Sequence, residues 1–344
     1  MDFAFDLHFE LIRMKRFLLV LVLLSLSFAD LLGGASAQQS TDKAKPTPTP
    51  KPLDKLPLVT LRREFKSGFP IPVGEKLEYE IRFSRFPVYA TVGVVTFEFL
   101  GPAKFAAPSS ETSANGSAEP AIAGLNVEFA PTPEDQFFRL RASAISKGLL
   151  IAIAGVDVRD RFETLVNAQD FAARVAFKEI KEGKKHLAQT ALFNAADKTV
   201  KFTSNDLNNK QATPKEKSAA REDGMLDLLS AFYFVRLQTM KEGQLIRFPV
   251  NDDGENYWFD IVVGKRETLK TDCGKVKTIK IEPKLFGPGQ LFSRPGTMTM
   301  WMTDDALHIP LKLEAKTSSG LVKAKLLNFK NKCKLIDDEE KPKK

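Results

Sequence analysis

Residues 77–84 read Leu-Glu-Tyr-Glu-Ile-Arg-Phe-Ser. This strict alternation constrains the fold more than any other feature of the chain. Side chains that switch sides at every residue are those of a strand, and putting the apolar ones on a single face requires a sheet with one buried and one wet side. Val95, Phe97 and Phe99 repeat the pattern, and Leu311, Leu313 and Ala315 stand opposed to Lys312, Glu314 and Lys316. Similar segments cover 136–146, 157–166, 171–181, 186–194, 198–203, 244–250, 256–264, 274–283, 297–303, 309–316 and 320–329. One-sided alternation is the mark of antiparallel sheet.

A single segment departs from this period. In 225–240, Leu226, Leu229, Phe232 or Tyr233, and Arg236 or Leu237 fall at helical spacing, and Gly243 follows soon after. Asp227 near its start suits both a cap and the helix dipole. The expected fold is therefore mainly β: a large antiparallel curved sheet or barrel-like sandwich, with one principal helix at about 225–240 covering an open side or end.

Breaks in the pattern set the domain organisation. Arg13, Lys15 and Arg16 precede an apolar run from Phe17 to Phe28, and Ala35-Ser36-Ala37 stands just before Gln38. These features predict a signal peptide over 1–37, with Met14 as an alternative start. The apolar run is too short for a membrane span, so none is expected in the mature chain. Residues 38–67 form a Pro-rich tether expected to be disordered, because such a composition buries too little surface to fold. The domain follows at 68–330, with a loop insertion at 107–124, a low-complexity stretch at 204–223 and a charged tail at 331–344.

The net charge of the whole chain is +8; the leader holds three basic and four acidic residues, so its removal leaves +9. That excess favours anionic partners such as phospholipid head groups or acidic glycans. Nucleic acid is not expected, because the lysines are spread along alternating segments and the chain is read as exported. Cys273 and Cys333 are the only cysteines. An oxidising compartment permits them to pair, closing a loop worth about 4 kcal/mol of chain entropy. Two buried thiols are the alternative, since spacing alone does not place their Cα atoms within reach.

The segments VGEKLEYEIRF (73–83) and TVGVVTFEF (91–99), then DLLSAFYFVR (227–236), EGQLIRFPV (242–250), GKRETLKTDCGKVKTIKIEPK (264–284) and WMTDDALHIPLKLEAKTSSGLVKAKL (301–326), resemble the DUF3108 family of exported bacterial envelope proteins. The resemblance spans about residues 68–330 and implies a β-rich single domain in the periplasm or envelope. The name denotes a domain of unknown function, so no catalytic residues carry over.

Residues with chemical potential are few. Asp304, Asp305 and His308 lie close together, but the alternation on either side requires a chain reversal there, where aspartates bond nearby backbone N–H groups. His186, in a strand and flanked by Lys184 and Lys185, is the other histidine of the mature chain, and its spacing offers no support for a metal site. Met298, Met300 and Met302 share one strand face; thioethers bind Cu(I), yet such a stripe is more often packing. Phe outnumbers Tyr 27 to 4, which suits a dry core or an apolar cavity. Met298, Met300, Met302, Phe97 and Phe99 are the candidate lining of such a cavity.

Ser230 has no histidine or nucleophile elbow near it in sequence and reads with Asp227 as a cap. No phosphate-binding loop motif occurs, and Gly287-Pro288-Gly289-Gln290 is a turn. No catalytic residue, cofactor or metal is expected. The leading expectation is a non-enzymatic envelope protein that binds an apolar or amphipathic, lipid-like ligand or another envelope component. An envelope hydrolase acting on glycan or ester and a structural or assembly factor are the alternatives. The sequence leaves oligomeric state open.

Overall fold

The computed structural model describes residues 53–64, 69–103, 136–148, 157–209, 211–272, 274–287, 289–293 and 295–327. The alternating segments join one antiparallel sheet of fourteen strands. The first eight are β1 (Glu75–Arg85), β2 (Val88–Ala103), β3 (Phe137–Ser146), β4 (Arg159–Asn167), β5 (Ala173–Glu182), β6 (Lys185–Asn194), β7 (Thr199–Asp206) and β8 (Lys215–Ala220). After the helix α1 (Leu228–Arg236) come β9 (Leu245–Asp252), β10 (Glu255–Thr271), β11 (Gly274–Pro283), β12 (Gly296–Thr303), β13 (Pro310–Thr317) and β14 (Gly320–Leu326).

Each strand pairs with its neighbours in sequence, except β8 with β9, and β1 also pairs with β14. Two meanders, β1 to β8 and β9 to β14, are thereby fused side by side, leaving β8 and β9 as the two edges. The edge strand β8 reaches the start of β10 through side chains: Lys217 on β8 meets Glu255 at 2.7 Å, and Asn256 Nδ2 donates to the Ala220 carbonyl at 2.7 Å. Pro249 lies in β9, and a residue without an N–H is tolerated only where no neighbouring strand needs that donor. The exposed rim of β9 is covered by other backbone, with Leu226 bridged to Val250 and Leu58 to Leu245.

The second of these bridges corrects an expectation. Residues 53–64, read from composition as part of a disordered tether, lie along the domain: Val59 N donates to the Leu245 carbonyl at 2.8 Å, and Leu245 N to that of Pro57 at 2.9 Å. An open sheet edge supplies backbone partners that composition does not reveal. The low-complexity stretch at 204–223 contains β8, whose residues are almost all exposed. An edge strand with both faces wet has no alternation to betray it.

The helix is shorter than its apolar pattern. The Asp227 carboxylate accepts the N–H of Ser230 at 3.0 Å, while Asp227 N donates back to Ser230 Oγ at 3.0 Å, a reciprocal capping box. Asp227 also accepts the Thr164 hydroxyl at 2.8 Å, pinning the start of α1 to β4. At the other end, the Arg236 guanidinium grips Glu75 of β1 through two bonds of 2.6 and 2.9 Å, with both side chains buried. Thus α1 is held inside the curved sheet at both ends. Residues 1–52, including the expected signal peptide, the insertion at 107–124, the tail at 331–344, and both Cys273 and Cys333 lie outside the described residues.

Candidate functional site

One face of α1 carries Leu228, Ala231, Phe232 and Val235, the spacing of a single helical stripe. This stripe does not close fully against the sheet. Between it and the inner faces of β1, β2 and β9 to β14 lies a cavity of about 110 Å³. Its wall includes Tyr79, Ile81, Val95, Phe97, Phe248, Phe259, Ile261, Ile281, Met298, Met300 and Leu313, with Lys312 the one charged residue in the lining.

Register explains why space remains. Ile281 pairs with Met300, Met300 with Leu313, Leu313 with Ala324, Ala324 with Ile81, and Ile81 with Gly93. This row across the wall holds two small residues, Ala324 and Gly93, on either side of Ile81, where little or no side chain projects inward. A Cβ at Gly93 would come within 2.7 Å of the Ile145 carbonyl oxygen, which holds that position to glycine. The volume is far above the roughly 10–15 Å³ that admits one water, and an apolar cavity of such size stays dry or takes an apolar molecule. Tyr79 donates its hydroxyl to the Pro310 carbonyl at 2.8 Å, which removes a polar group from the wall. Burial pushes that phenol well above its usual range, so it remains protonated.

The sequence candidates divide. Phe97, Met298 and Met300 line the cavity. Phe97 stacks on Phe232 of α1 with ring centroids 4.1 Å apart. Phe99 and Met302 are buried elsewhere in the core, where Phe99 stacks on Phe69 at 4.9 Å. Lining residues on α1, β9 and β10 were missed, because only the folded register shows that Ala231, Phe248 and Phe259 face Phe97.

The segment 301–310 is a chain reversal. Asp305 Oδ1 accepts from the Thr303 hydroxyl at 2.8 Å and from the N–H groups of Leu307 and His308 at 2.9 and 3.0 Å. Asp304 pairs outward with Arg266 at 2.8 Å. His308 Nδ1 lies 2.8 Å from the Arg236 carbonyl, which only accepts, so this nitrogen carries the proton and satisfies the last turn of α1. Burial lowers the His308 pKa and keeps the ring neutral. His186 sits on another strand, 3.0 Å from Glu179. Among the described residues no three His, Cys, Asp or Glu side chains are grouped to hold a metal ion.

A second cluster had no sequence signal. Lys178 on β5 is buried and bonded to both Asp252 and Asp253, at the β9–β10 turn. Lys178 and Asp253, with Asp227, Gln189 and Asn251, border a space of about 10 Å³, the room of a single water. One cation between two carboxylates leaves a buried excess of negative charge. Burial, opposed by Lys178 and reinforced by Asp253, raises the Asp252 pKa to about 7. Asp252-Asp253-Gly254 reads in sequence as an ordinary turn, and nothing local links it to Lys178.

No curated protein matches the sequence. Among solved structures, the chain is similar to a beta-barrel-like protein of domain of unknown function DUF1849 from Brucella abortus, at 12% identity and a TM-score of 0.40, covering 79% of this chain and 97% of that one. The family model described as "Protein of unknown function (DUF3108)" matches residues 123–327, from ahead of β3 through β14, without the resemblance read at 73–99. With most of the fourteen-stranded sheet and all of α1 inside that match, the chain belongs to the DUF3108 family.

Proposed function

We propose that this chain is an exported envelope protein without catalytic activity, whose interior takes up an apolar group, such as the end of a lipid-like molecule. The observation that carries the reading is the cavity beneath α1, walled by aliphatic, aromatic and thioether groups from eight strands and bordered by a single cation, Lys312. Such a lining offers contact area and almost no polar anchor, as suits a lipid-like ligand. The carboxylates beside Lys178, Asp227 and Asp253, face a space of about 10 Å³, which leaves no room for a glycan or an ester at that cluster. Export is supported by the basic segment, apolar run and Ala35-Ser36-Ala37 of the leader; a secreted form beginning at Gln38 would establish it.

The test is displacement of a fluorescent fatty acid from the purified domain, together with mass spectrometry of its organic extract. Wild-type protein is expected to bind the fatty acid or to carry a co-purified amphiphile. Ala231→Leu, which fills the cavity from α1, should weaken binding about tenfold, the worth of roughly one lost chain segment, with its melting temperature maintained. An empty extract together with no fatty-acid binding by the wild type would overturn the reading.

A further inference from the structure

Because the sheet is a meander, the β1–β2, β3–β4, β5–β6, β7–β8, β11–β12 and β13–β14 connections emerge at one end of it. Hydrogen bonds tie parts of that rim together: Lys147 N donates to the Val92 carbonyl at 3.0 Å, and Gly183 N to that of Asp157 at 2.8 Å. At the β1–β2 tip, Phe86 is 85% exposed and Tyr89 69% exposed. Ile145, exposed as well, lies one strand over on β3, opposite Val94. Two large aromatic side chains held in water on a tight hairpin contribute nothing to the core, which is closed beneath them by Phe83 and Val92. The charges around them are mainly positive: Arg85 on the tip, Lys147 after β3, and Lys316 on β13, two strands from Ser84, are all exposed. The acids nearby are partnered, Asp157 with Arg159 at 3.0 Å and Glu80 with Arg82.

An apolar tip ringed by cations is the chemistry that enters the head-group layer of a lipid bilayer. Phenylalanine gains by leaving water, tyrosine is at home where one end is apolar and the other wet, and lysine and arginine pair with lipid phosphates. A protein partner would match the aromatic pair without needing the cations. We infer that this rim is a membrane-contact surface, at which Phe86 and Tyr89 insert among the head groups of an anionic phospholipid bilayer while Arg85, Lys147 and Lys316 hold it there. The inference stands apart from the cavity's contents. It does suit them, since the wall of the cavity reaches the foot of the β11–β12 connection, on the same rim, at Pro283 and Leu285.

The experiment is co-sedimentation of the purified domain with vesicles of phosphatidylglycerol and phosphatidylethanolamine, and separately of phosphatidylcholine. Binding is expected to the first, to weaken with added salt, and to be much poorer to the second. Phe86→Ser/Tyr89→Ser should lower the partition constant about tenfold, as expected for two exposed aromatic groups that enter the interface. Both sites are exposed, so the variant's melting temperature and fatty-acid binding should equal those of the wild type. Absence of wild-type binding to anionic vesicles would overturn the proposal. So would a double variant that binds as well as wild type while Arg85→Glu/Lys147→Glu does not bind, since that pattern is surface adsorption without insertion. Loss of a protein crosslink in the double variant, with no vesicle binding by either form, would reassign the rim to a protein partner and equally overturn it.

Discussion

Replacing Glu75 by glutamine tests what holds α1 in place. The Arg236 guanidinium is 0% exposed and the Glu75 carboxylate 1%. The two share bonds of 2.6 and 2.9 Å, and Arg236 Nε donates to the Leu307 carbonyl at 3.2 Å. Glutamine preserves shape but leaves the guanidinium without a counter-charge in a place water does not reach. Losing one partner of a buried pair costs about 3–5 kcal/mol, whereas replacing both by apolar groups of similar volume is often close to neutral. For a domain of this size, about 2–4 °C of melting temperature accompanies each kcal/mol, so Glu75→Gln should melt roughly 6–20 °C lower. Glu75→Leu/Arg236→Met should recover most of that loss. Urea titration followed by the fluorescence of Trp258 and Trp301 reads all the variants. The cavity roof is α1 itself, so fatty-acid binding should fall with Glu75→Gln and return in the double variant. A cost below about 1 kcal/mol for Glu75→Gln, or a double variant no better than the single, would refute the claim that this pair is a desolvated, mutually dependent unit.

Other variants probe separate parts of the fold. Burial pushes the Asp252 carboxyl up to about 7 in the folded protein, from its ordinary value near 3.8. Being raised, it contributes stability below about pH 4 that is lost as pH climbs through 7, so Asp252→Asn should flatten urea stability over that window and raise it by about 1–2 kcal/mol at pH 8; a loss at pH 8 would contradict the buried excess of negative charge. Asp227→Ala removes the cap of α1 and the partner of Thr164, and should cost about 2–4 kcal/mol in the same titration. Asp305→Ala unties the reversal after β12, which leaves two N–H groups and a hydroxyl without their acceptor, and should cost about 1–3 kcal/mol while fatty-acid binding is retained.

Strand alternation, the position of the helix and the reversal at 303–309 are local properties, and local patterning made them legible. A period of two needs only neighbouring residues to say which side chains share a face, and Asp305 finds all three of its donors within three residues. The same reading passed over β8, because an exposed edge strand carries no contrast between its faces, and over residues 53–64, because their partner is Leu245, far along the chain. Lys178 with Asp252 and Asp253 was illegible for that reason too: more than seventy positions separate the charges.

Phe97 and Phe99 show where the boundary falls. Alternation puts them on one face of β2, and nothing in their surroundings in sequence tells them apart. The fold sets Phe97 against α1 at the edge of the cavity and Phe99 into a packed aromatic cluster with Phe69 and Phe138. The sequence by itself determined that this chain makes an antiparallel sheet with a helix of its own, since backbone period and capping act over a few residues. Only the tertiary structure decided that β1 would pair with β14, that α1 would be clamped within the curve, and that the row from Met300 through Ala324 to Gly93 would leave room, because which side chains oppose one another across a sheet is fixed by long-range register and not by composition.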